Sequence, residues 1–367
     1  MSSPKALSFS IEEFAPAAIQ GVATSTVGFV SVSQRAPVAG PLFSFVDFQR
    51  VVGAANVSPF MALAVQGFFE NGGQSCYVAR IASGDPLQKG LDDLAGVRIS
   101  LVCCPDDPQF ANAAAVTAAY CEKRKDCFAL LQPAAPLVPD ASNEAPVNSK
   151  YAAYYYPWLT VPGLTGGSSV TIPPCGHVAG VYAQTDATRG VWTAPAGTSA
   201  TLMGVTGLSQ DLTDAEAAAL DANRVSVIRN IHPYGNVVWG ARTTSQNPQW
   251  KYVNVRRLLI YIEQSVAEGL QWVVFEPNGP GLWKAVQHSI ESFLRSVWMM
   301  GGLKGQKANE AYFVKCGLDT MTEADLNSGQ LVIVIGVAPT YPAEFVVIQI
   351  TQLVGMNSAP SGSTAKT

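Results

Sequence analysis

The chain has 367 residues, of which 48% are hydrophobic and only 14% are charged, and its formal net charge is −4. This length accommodates two or three domains, or one core with a large insertion, and the composition supports a sizeable core. The negative net charge and the lack of any Lys/Arg run make nucleic acid a poor candidate partner. No apolar run approaches the roughly 18 residues that span a bilayer, and residues 1–10 lack the pattern of a secretory signal. We therefore expect synthesis in the cytoplasm.

The N-terminal third is predicted to alternate between strands and helices. Residues 6–14 alternate between apolar and polar side chains before Ala15-Pro16, so a strand there must pair with a distant strand or with another chain. Pro37 and Pro41 are expected to break the chain after the first core strand, ahead of a short helix that Ser44 or Asp47 caps. Core strands are predicted at residues 24–32, 76–81, 99–104 and 127–132, and helices at 58–69 and 112–124. This β-α-β order predicts a mainly parallel sheet covered by helices.

The middle of the chain contains more turns. Residues 133–147 hold four prolines and are predicted to form a loop or linker. The aromatic run at 151–158 could stack on a sugar or a base, but we interpret it as a buried cluster. Thr213-x-x-Glu216 is a capping-box pattern that predicts the start of a helix. A short helix at 176–182 and strands at 225–229 and 237–242 complete this region.

Residues 252–297 are predicted to form a helix, a strand and a second helix at the core of the fold. The two helices each show one apolar stripe, formed by Val255, Leu258, Leu259, Ile262 and Val266 and by Val286, Ile290, Phe293, Leu294 and Val297. Arg256 and Arg257 lie between the positions of the first stripe and are predicted to face solvent or a partner. Residues 271–275 are apolar without alternation, as in a strand covered on both faces. Strands at 311–316, 331–337 and 345–352 and a helical turn at 323–327 follow, before a Ser/Gly/Ala tail at 357–367.

The sequence contains no recognisable set of catalytic, cofactor-binding or metal-binding residues. It has no phosphate-binding or dinucleotide-binding glycine loop and no Gly-x-Ser-x-Gly elbow. Cys175-x-His177 could supply two zinc ligands, but no second pair of suitable spacing exists. The odd number of cysteines predicts reduced and mostly buried thiols at Cys76, Cys103, Cys104, Cys121, Cys127, Cys175 and Cys316. An α/β enzyme or small-molecule-binding module whose site is assembled from scattered residues remains an alternative.

Several short motifs occur in one order along nearly the whole chain. They include Phe68-Phe69-x-Asn71-Gly72-Gly73, Trp239-Gly240-Ala241-Arg242-Thr243, Tyr252-Val253-Asn254-Val255-Arg256-Arg257 and Trp272-Val273-Val274-Phe275-Glu276-Pro277-Asn278. In these motifs and their order the chain resembles the contractile tail sheath proteins of phages and related injection systems. It is similar to the compact sheaths of extracellular contractile injection systems and pyocin-like particles at least as much as to those of large phages.

The resemblance implies a mixed α/β fold. A conserved sheath domain would be built from N- and C-terminal parts, with a middle α/β insertion and extended terminal arms. The implied divisions are an N-terminal arm at 1–20, the first part of the conserved domain at 21–85, the outer insertion at 86–240, the second part of the conserved domain at 241–343, and a C-terminal arm and tail at 344–367.

The resemblance also implies a structural role without catalysis or cofactor. Such a subunit polymerises around an inner tube and contracts to drive the tube through a target envelope. Its implied partners are copies of itself in stacked rings, expected to be hexameric, the inner tube protein, baseplate and terminal cap proteins, and other sheath paralogues. No contact with nucleic acid and no membrane insertion of this chain are implied. The chain would assemble in the cytoplasm and then form part of a phage tail or a released tail-like particle.

Two sets of site residues follow from the resemblance. Strands in the two arms would complete the sheets of neighbouring subunits, through Phe9, Ile11, Phe14, Phe345, Val347, Ile348 and Ile350. The second helix and the loop after it would contact the inner tube, through Lys284, Arg295, Lys304 and Lys307. The alternative that these four are ordinary solvated side chains stays open.

Overall fold

The structure is a computed structural model that describes residues 18–106, 109–135, 143–164 and 166–342. Its strands are β1 (Val27–Val32), β2 (Ala36–Leu42), β3 (Cys76–Ile81), β4 (Leu101–Cys103), β5 (Phe128–Leu131), β6 (Ala152–Tyr156), β7 (Leu159–Pro162), β8 (Ser169–Ile172), β9 (Gly207–Leu208), β10 (Val225–Ile231), β11 (Gly235–Val238), β12 (Tyr312–Cys316) and β13 (Ile333–Val337). Its helices are α1 (Phe45–Val51), α2 (Pro59–Glu70), α3 (Leu87–Asp93), α4 (Ala113–Arg124), α5 (Cys175–Arg189), α6 (Asp214–Ala222), α7 (Val253–Gly269), α8 (Pro280–Met299), α9 (Ala308–Ala311) and α10 (Glu323–Asn327). No helix in these ranges is long and apolar enough to cross a membrane.

One eight-stranded sheet dominates the larger part of the molecule. Its strand order is β11-β10-β6-β5-β4-β1-β3-β2, and its inner pairs are all parallel. The prediction of a mainly parallel sheet with helices packed on it is confirmed. Strands β4, β5 and β6 are buried at every residue, because helices cover both faces of a parallel sheet. The sheet joins strands from residues 27–81 and 101–238, whereas β7, β8 and β9 form a smaller sheet beside it.

The segment that contains Pro37 and Pro41 differs from the prediction. It was expected to be a break, but it forms the antiparallel edge strand β2. Its register against β3 shifts twice, between Ala36 and Ala39 and between Ala39 and Leu42. Proline lacks the N–H that a central strand must donate, so this sequence is tolerated only at an edge.

Residues 271–275 also differ from the prediction of a buried strand. Gln271–Val273 form a single turn of 3₁₀ helix, and Val274 and Phe275 are exposed, Phe275 completely. Phe275 has a φ of 75°, in the left-handed region. Trp272 and Val273 are partly buried against the core that α7 and α8 share. A short apolar run without alternation cannot distinguish a buried strand from such a connection.

Helices α2 and α5 approach each other closely because glycines face the contact. A Cβ added at Gly176 or Gly180 would overlap the backbone of α2 or its C-terminal cap, and one at Gly67 would overlap the ring of His177.

Helix α5 is longer than the predicted 176–182, and β11 ends before the predicted limit of residue 242. The predicted helix at 58–69 is confirmed as α2, and the capping box of Thr213 and Glu216 begins α6 as predicted. The aromatic run at 151–158 is buried, as interpreted.

The described residues form two hydrophobic cores. The larger core surrounds the eight-stranded sheet. The smaller core lies between α7, α8 and the β12–β13 hairpin, and it contains both predicted apolar stripes except Val255 and Leu259. Two segments distant in sequence join this smaller core, through Ile19 and Val191.

Candidate assembly interface

The β12–β13 hairpin is a two-stranded sheet that packs on α8. Its strands are antiparallel, with Tyr312 opposite Val337 and Cys316 opposite Ile333. Val314 and Cys316 are buried toward α8, whereas Phe313 is exposed by 51%. Among the described residues these two strands pair only with each other. Within these ranges, each strand therefore has one edge that no described strand occupies, and such an edge can pair with a further strand.

The seven predicted arm residues lie outside the described residues. They are Phe9, Ile11, Phe14, Phe345, Val347, Ile348 and Ile350. Their role in completing the sheets of neighbours therefore remains a prediction.

The four candidate tube-contact residues lie on α8 and in the segment that follows it, and all four are exposed. Lys284 and Arg295 are separated by eleven residues, which is three helical turns, so they share one face of α8. That face points away from the buried stripe, and it also carries the exposed Glu291, so its charge is mixed. Lys304 and Lys307 follow in the next loop. Contact of these residues with a tube remains a prediction.

The N-terminal root, defined here as residues 18–24, lies along α7. Ile19 is buried in the smaller core, and its side chain occupies the space beside Gly269 at the end of α7. The backbone N–H of Val22 donates to Ser265 Oγ at 3.1 Å. The root thus follows α7 from its last residue toward its first turn.

Arg257 lies at the other end of this root, and it is buried rather than facing solvent as predicted. Its guanidinium donates to both carboxylate oxygens of Asp186, at 2.9 and 2.6 Å, and to the carbonyl oxygen of Thr24 at 2.8 Å. The hydroxyl of Thr24 donates to the same carboxylate at 2.6 Å. The guanidinium also lies over the ring of Tyr182, 4.7 Å from its centroid. Burial opposes the positive charge, but the Asp186 carboxylate outweighs this effect, and the pKa of Arg257 is raised.

Arg256 is also buried, and its prediction as a solvent-facing residue is likewise wrong. It donates to Glu263 at 2.7 Å and lies over the rings of Tyr151 and Trp250, 4.7 and 5.2 Å from their centroids. The apolar stripe of α7 identifies the side that packs on α8. The stripe does not indicate what the opposite side of α7 contacts. That side packs against the larger core, where paired carboxylates and aromatic rings stabilise buried guanidinium groups.

The side chain of Asn254 contacts the C-terminal end of the described chain. We define residues 338–341 as the C-terminal root. The Asn254 amide donates to the carbonyl oxygens of Trp192 at 2.8 Å and Thr340 at 3.2 Å. The ring of Tyr341 packs edge-on against Tyr252, the residue that precedes α7, with centroids 5.8 Å apart.

Sequence reasoning did not identify Asp186, Thr24 or Asn254 as partners in this arrangement. Asp186 and Arg257 are 71 residues apart, and Thr24 and Arg257 are 233 apart. No local spacing rule connects such positions. The available signal was that Asn254 and Arg257 both belong to the 252–257 motif that carries the resemblance.

The strongest candidate for an enzymatic site is Asp106, beyond the carboxyl end of β4. Ligands of open α/β sheets bind at this end of the strands. Asp106 is buried, and it accepts hydrogen bonds from the Val32 N–H at 2.8 Å, from the Ser31 hydroxyl at 3.2 Å and from the Ser58 hydroxyl. Burial raises the pKa of Asp106 although these donors oppose the shift. The carboxylate thus connects β1, β4 and the N-terminus of α2, which is a structural arrangement.

A crevice of about 780 Å³ is the strongest candidate for a small-molecule site. It is lined by the N-terminal root, by residues 98–100 and by α7, and the ion pair of Arg98 and Glu268 lies at its margin. Within the described part of the chain, no group of three His, Cys, Asp or Glu side chains could hold a metal ion.

Comparison with known families agrees with this architecture. Residues 82–244 match the family model for the phage tail sheath protein central domain, and residues 245–352 match the model for the phage tail sheath C-terminal domain. The chain belongs to the phage tail sheath family, and its mixed α/β fold is the sheath fold.

Similar structures and relatives extend this result. A chain of the anti-feeding prophage (AFP) baseplate is 33% identical, with a TM-score of 0.78, and the match covers 95% of this chain and 99% of that one. A chain of the PVC sheath complex in its contracted state, from an extracellular contractile injection system, is 29% identical, with a TM-score of 0.81 and coverage of 96% and 99%. The putative prophage major tail sheath protein of Pseudomonas aeruginosa (strain UCBPP-PA14) is 26% identical over 196 residues, which are 51% of this chain and 49% of that protein. The matches span about half or less of the length of the curated relatives.

Proposed function

We propose that this chain is a structural sheath subunit that polymerises around an inner tube and contracts to drive the tube through a target envelope. The observation that carries the proposal is the match, over almost the full length of both chains, to a sheath in its contracted state. The β12–β13 hairpin also supports it, because no described strand occupies its outer edges and a two-stranded sheet is marginal alone and gains stability from added strands.

In this proposal, strands in the arms at 1–20 and 344–367 pair with the hairpins of neighbouring subunits. The arms link the subunits into one mesh, so subunits rotate and slide during contraction without separating. The extended sheath is a metastable state, and its assembly contacts store the free energy that contraction releases. The proposed conserved domain comprises residues 21–85 and 241–343 around the insertion at 86–240, although the strands of 27–81 share the eight-stranded sheet with those of 101–238.

Lys284, Arg295, Lys304 and Lys307 are the proposed contacts with the inner tube. Exposed charges of this kind contribute roughly 0–1 kcal/mol per ion pair and are screened by salt. Contacts of this strength suit a tube that must be released when the sheath contracts. The other proposed partners are copies of the chain in hexameric rings, baseplate and cap proteins, and sheath paralogues.

The role we propose is non-enzymatic and needs no cofactor. The subunit is made in the cytoplasm and becomes part of a phage tail or a released tail-like particle. It makes no contact with nucleic acid and does not insert into a membrane.

Electron microscopy of negatively stained protein tests the proposal. The chain is expressed alone and together with the tube and baseplate genes of its own cluster. We expect striated hollow cylinders, short and wide without the tube and long and narrow around it. Deletion of residues 1–14 is expected to leave a folded monomer that does not polymerise. Uniform small particles under every condition would refute the sheath assignment.

A further inference from the structure

Both ends of the described chain contact the same helix, α7. The N-terminal root contacts it beside Gly269, at Ser265 and at Arg257. The C-terminal root contacts it at Asn254, and backbone hydrogen bonds also join this root to residues 302–304 and to Ala311. Along the helix axis, Asn254 and Gly269 are about 22 Å apart. The proposed arms therefore leave the subunit body near opposite ends of one rigid element.

The polar contacts at the first turn of α7 join three parts of the fold. Arg257 donates hydrogen bonds to Thr24 of the N-terminal root and to Asp186 of α5. Helix α5 packs in the larger core. Asn254 holds Thr340 of the C-terminal root. Residues three positions apart on a helix are neighbours on its surface. The N-terminal part of α7 thus contacts both roots and the larger core.

We propose that α7 transmits force between the two arms of one subunit, with Arg257 and Asn254 as the residues that position the arm roots. This inference rests on the proposed sheath function. A pull that enters through one arm passes along the axis of α7 to the other arm, and so to the next subunit. The roots hold their place because multiple hydrogen bonds must break together before the backbone can slide, whereas an apolar contact permits sliding.

Burial of these residues makes the proposal testable. Arg257 and Asn254 are 3% and 2% exposed. Neither can contribute a side-chain atom to a contact with a neighbouring subunit while the subunit keeps this fold. A substitution there can therefore change assembly only through subunit stability or through the position of the arm roots. Control variants with the same loss of stability separate these two effects.

Asn71 provides a matched control for Asn254. It is also buried, and its amide also donates to two carbonyl oxygens, of Gly67 at 2.8 Å and of Met203 at 3.1 Å. Asn71 is the C-terminal cap of α2, and its side-chain hydrogen bonds go to Gly67 and Met203 rather than to either root. Asn71 Oδ1 also accepts from the Met203 N–H at 2.7 Å, whereas Asn254 Oδ1 has no partner within the described residues, so Asn71→Ala removes one hydrogen bond more than Asn254→Ala. Only Asn254→Ala removes a side-chain contact with an arm root.

The experiment measures the critical concentration for polymerisation of the full chain by pelleting, at a temperature where each variant is folded by urea titration. We expect Asn254→Ala to raise the critical concentration about tenfold or more, and Asn71→Ala to raise it less than about threefold. A second pair uses Arg257→Lys, which loses the fork that reaches both Asp186 and Thr24, and Arg124→Lys as its control. Arg124 likewise donates to a carboxylate and to two carbonyl oxygens, those of Leu94 and Val97.

The outcomes distinguish this inference from the sheath function on which it rests. Equal critical concentrations for each test variant and its control would overturn the role of α7 while the wild-type chain still polymerises. Failure of the wild-type chain to polymerise, alone and with its tube, would overturn the sheath function and this inference with it. If one test variant does not fold, the other pair still decides the result.

Discussion

His177 is a buried titratable group whose effect on stability can be calculated from its surroundings. It lies on α5 with 2% of its surface exposed, and its ring fills the space opposite Gly67 of α2. Its Nδ1 atom has no hydrogen-bond partner within the described residues. Burial lowers the pKa of His177 from 6.5 to about 4. The folded subunit therefore keeps this imidazole neutral at a pH where the unfolded chain protonates it.

The sign and size of the effect follow from this difference. Above pH 6.5 neither state binds the proton, and the favourable contribution of the neutral ring to folding is complete. Below pH 6.5 the unfolded chain gains a proton that the folded subunit does not, so the free energy of unfolding falls by about 1.4 kcal/mol per pH unit. The fall continues to about pH 4 and totals about 3 kcal/mol. Between pH 7 and pH 5 we expect His177 to account for about 2 kcal/mol.

Urea unfolding at pH 7 and pH 5, below the polymerisation concentration, measures this contribution. His177→Leu removes the titrating group, so it should lose about 2 kcal/mol less than the wild type between the two pH values. His288→Gln, on the exposed face of α8, is the matched control and should lose as much as the wild type. An identical pH dependence for His177→Leu and the wild type would refute the argument that burial keeps this ring neutral.

Two further predictions concern single side chains. Asp186→Asn leaves the buried Arg257 guanidinium without its counter-ion and should lower the free energy of unfolding by about 3–5 kcal/mol. Asp214→Asn, which removes a carboxylate exposed by 94%, should cost less than about 1 kcal/mol in the same urea titration. Phe275→Asn should raise the free energy of unfolding by about 1 kcal/mol, because asparagine tolerates the left-handed backbone. Val274→Asn, at an exposed position with a φ of −64°, should not raise it.

Elements determined by local interactions could be predicted from the sequence. The capping box of Thr213 and Glu216 and the apolar stripes of α7 and α8 depend on residues a few positions apart. The alternation of strands and helices predicts the parallel sheet because a parallel pair requires a crossover connection. These predictions are confirmed because tertiary packing reinforces the local preference.

Elements determined by their place in the fold could not be predicted in the same way. Proline excludes β2 from the centre of a sheet but not from its edge, and the sequence does not say which strands lie at edges. The run at 271–275 is apolar, yet the chain must leave the core there to connect α7 to α8. Phe275 consequently lies in solvent although its residue type predicts burial.

The arm roots show the same limit at the candidate site. Arg256 and Arg257 carry charges that usually face water, and only the fold supplies the rings and carboxylates that bury them. The 252–257 motif carries part of the resemblance to the family, but no contact between it and either root was predicted. It could not show which carbonyl oxygens these side chains hold, because those lie up to 233 residues away in the chain.

The position of α7 between the two cores explains why its first turn is polar. Its stripe contributes to the smaller core, while Arg257 and its partner Asp186 link it to the larger one. Replacing a buried ion pair with apolar side chains often preserves stability, so stability alone does not account for such a pair. Hydrogen bonds to a carboxylate and a carbonyl oxygen specify one relative position of the segments they join. The role that we propose for α7 requires that property at the two roots. We therefore attribute the buried polar contacts of α7 to the positioning of the roots rather than to the stability of the fold.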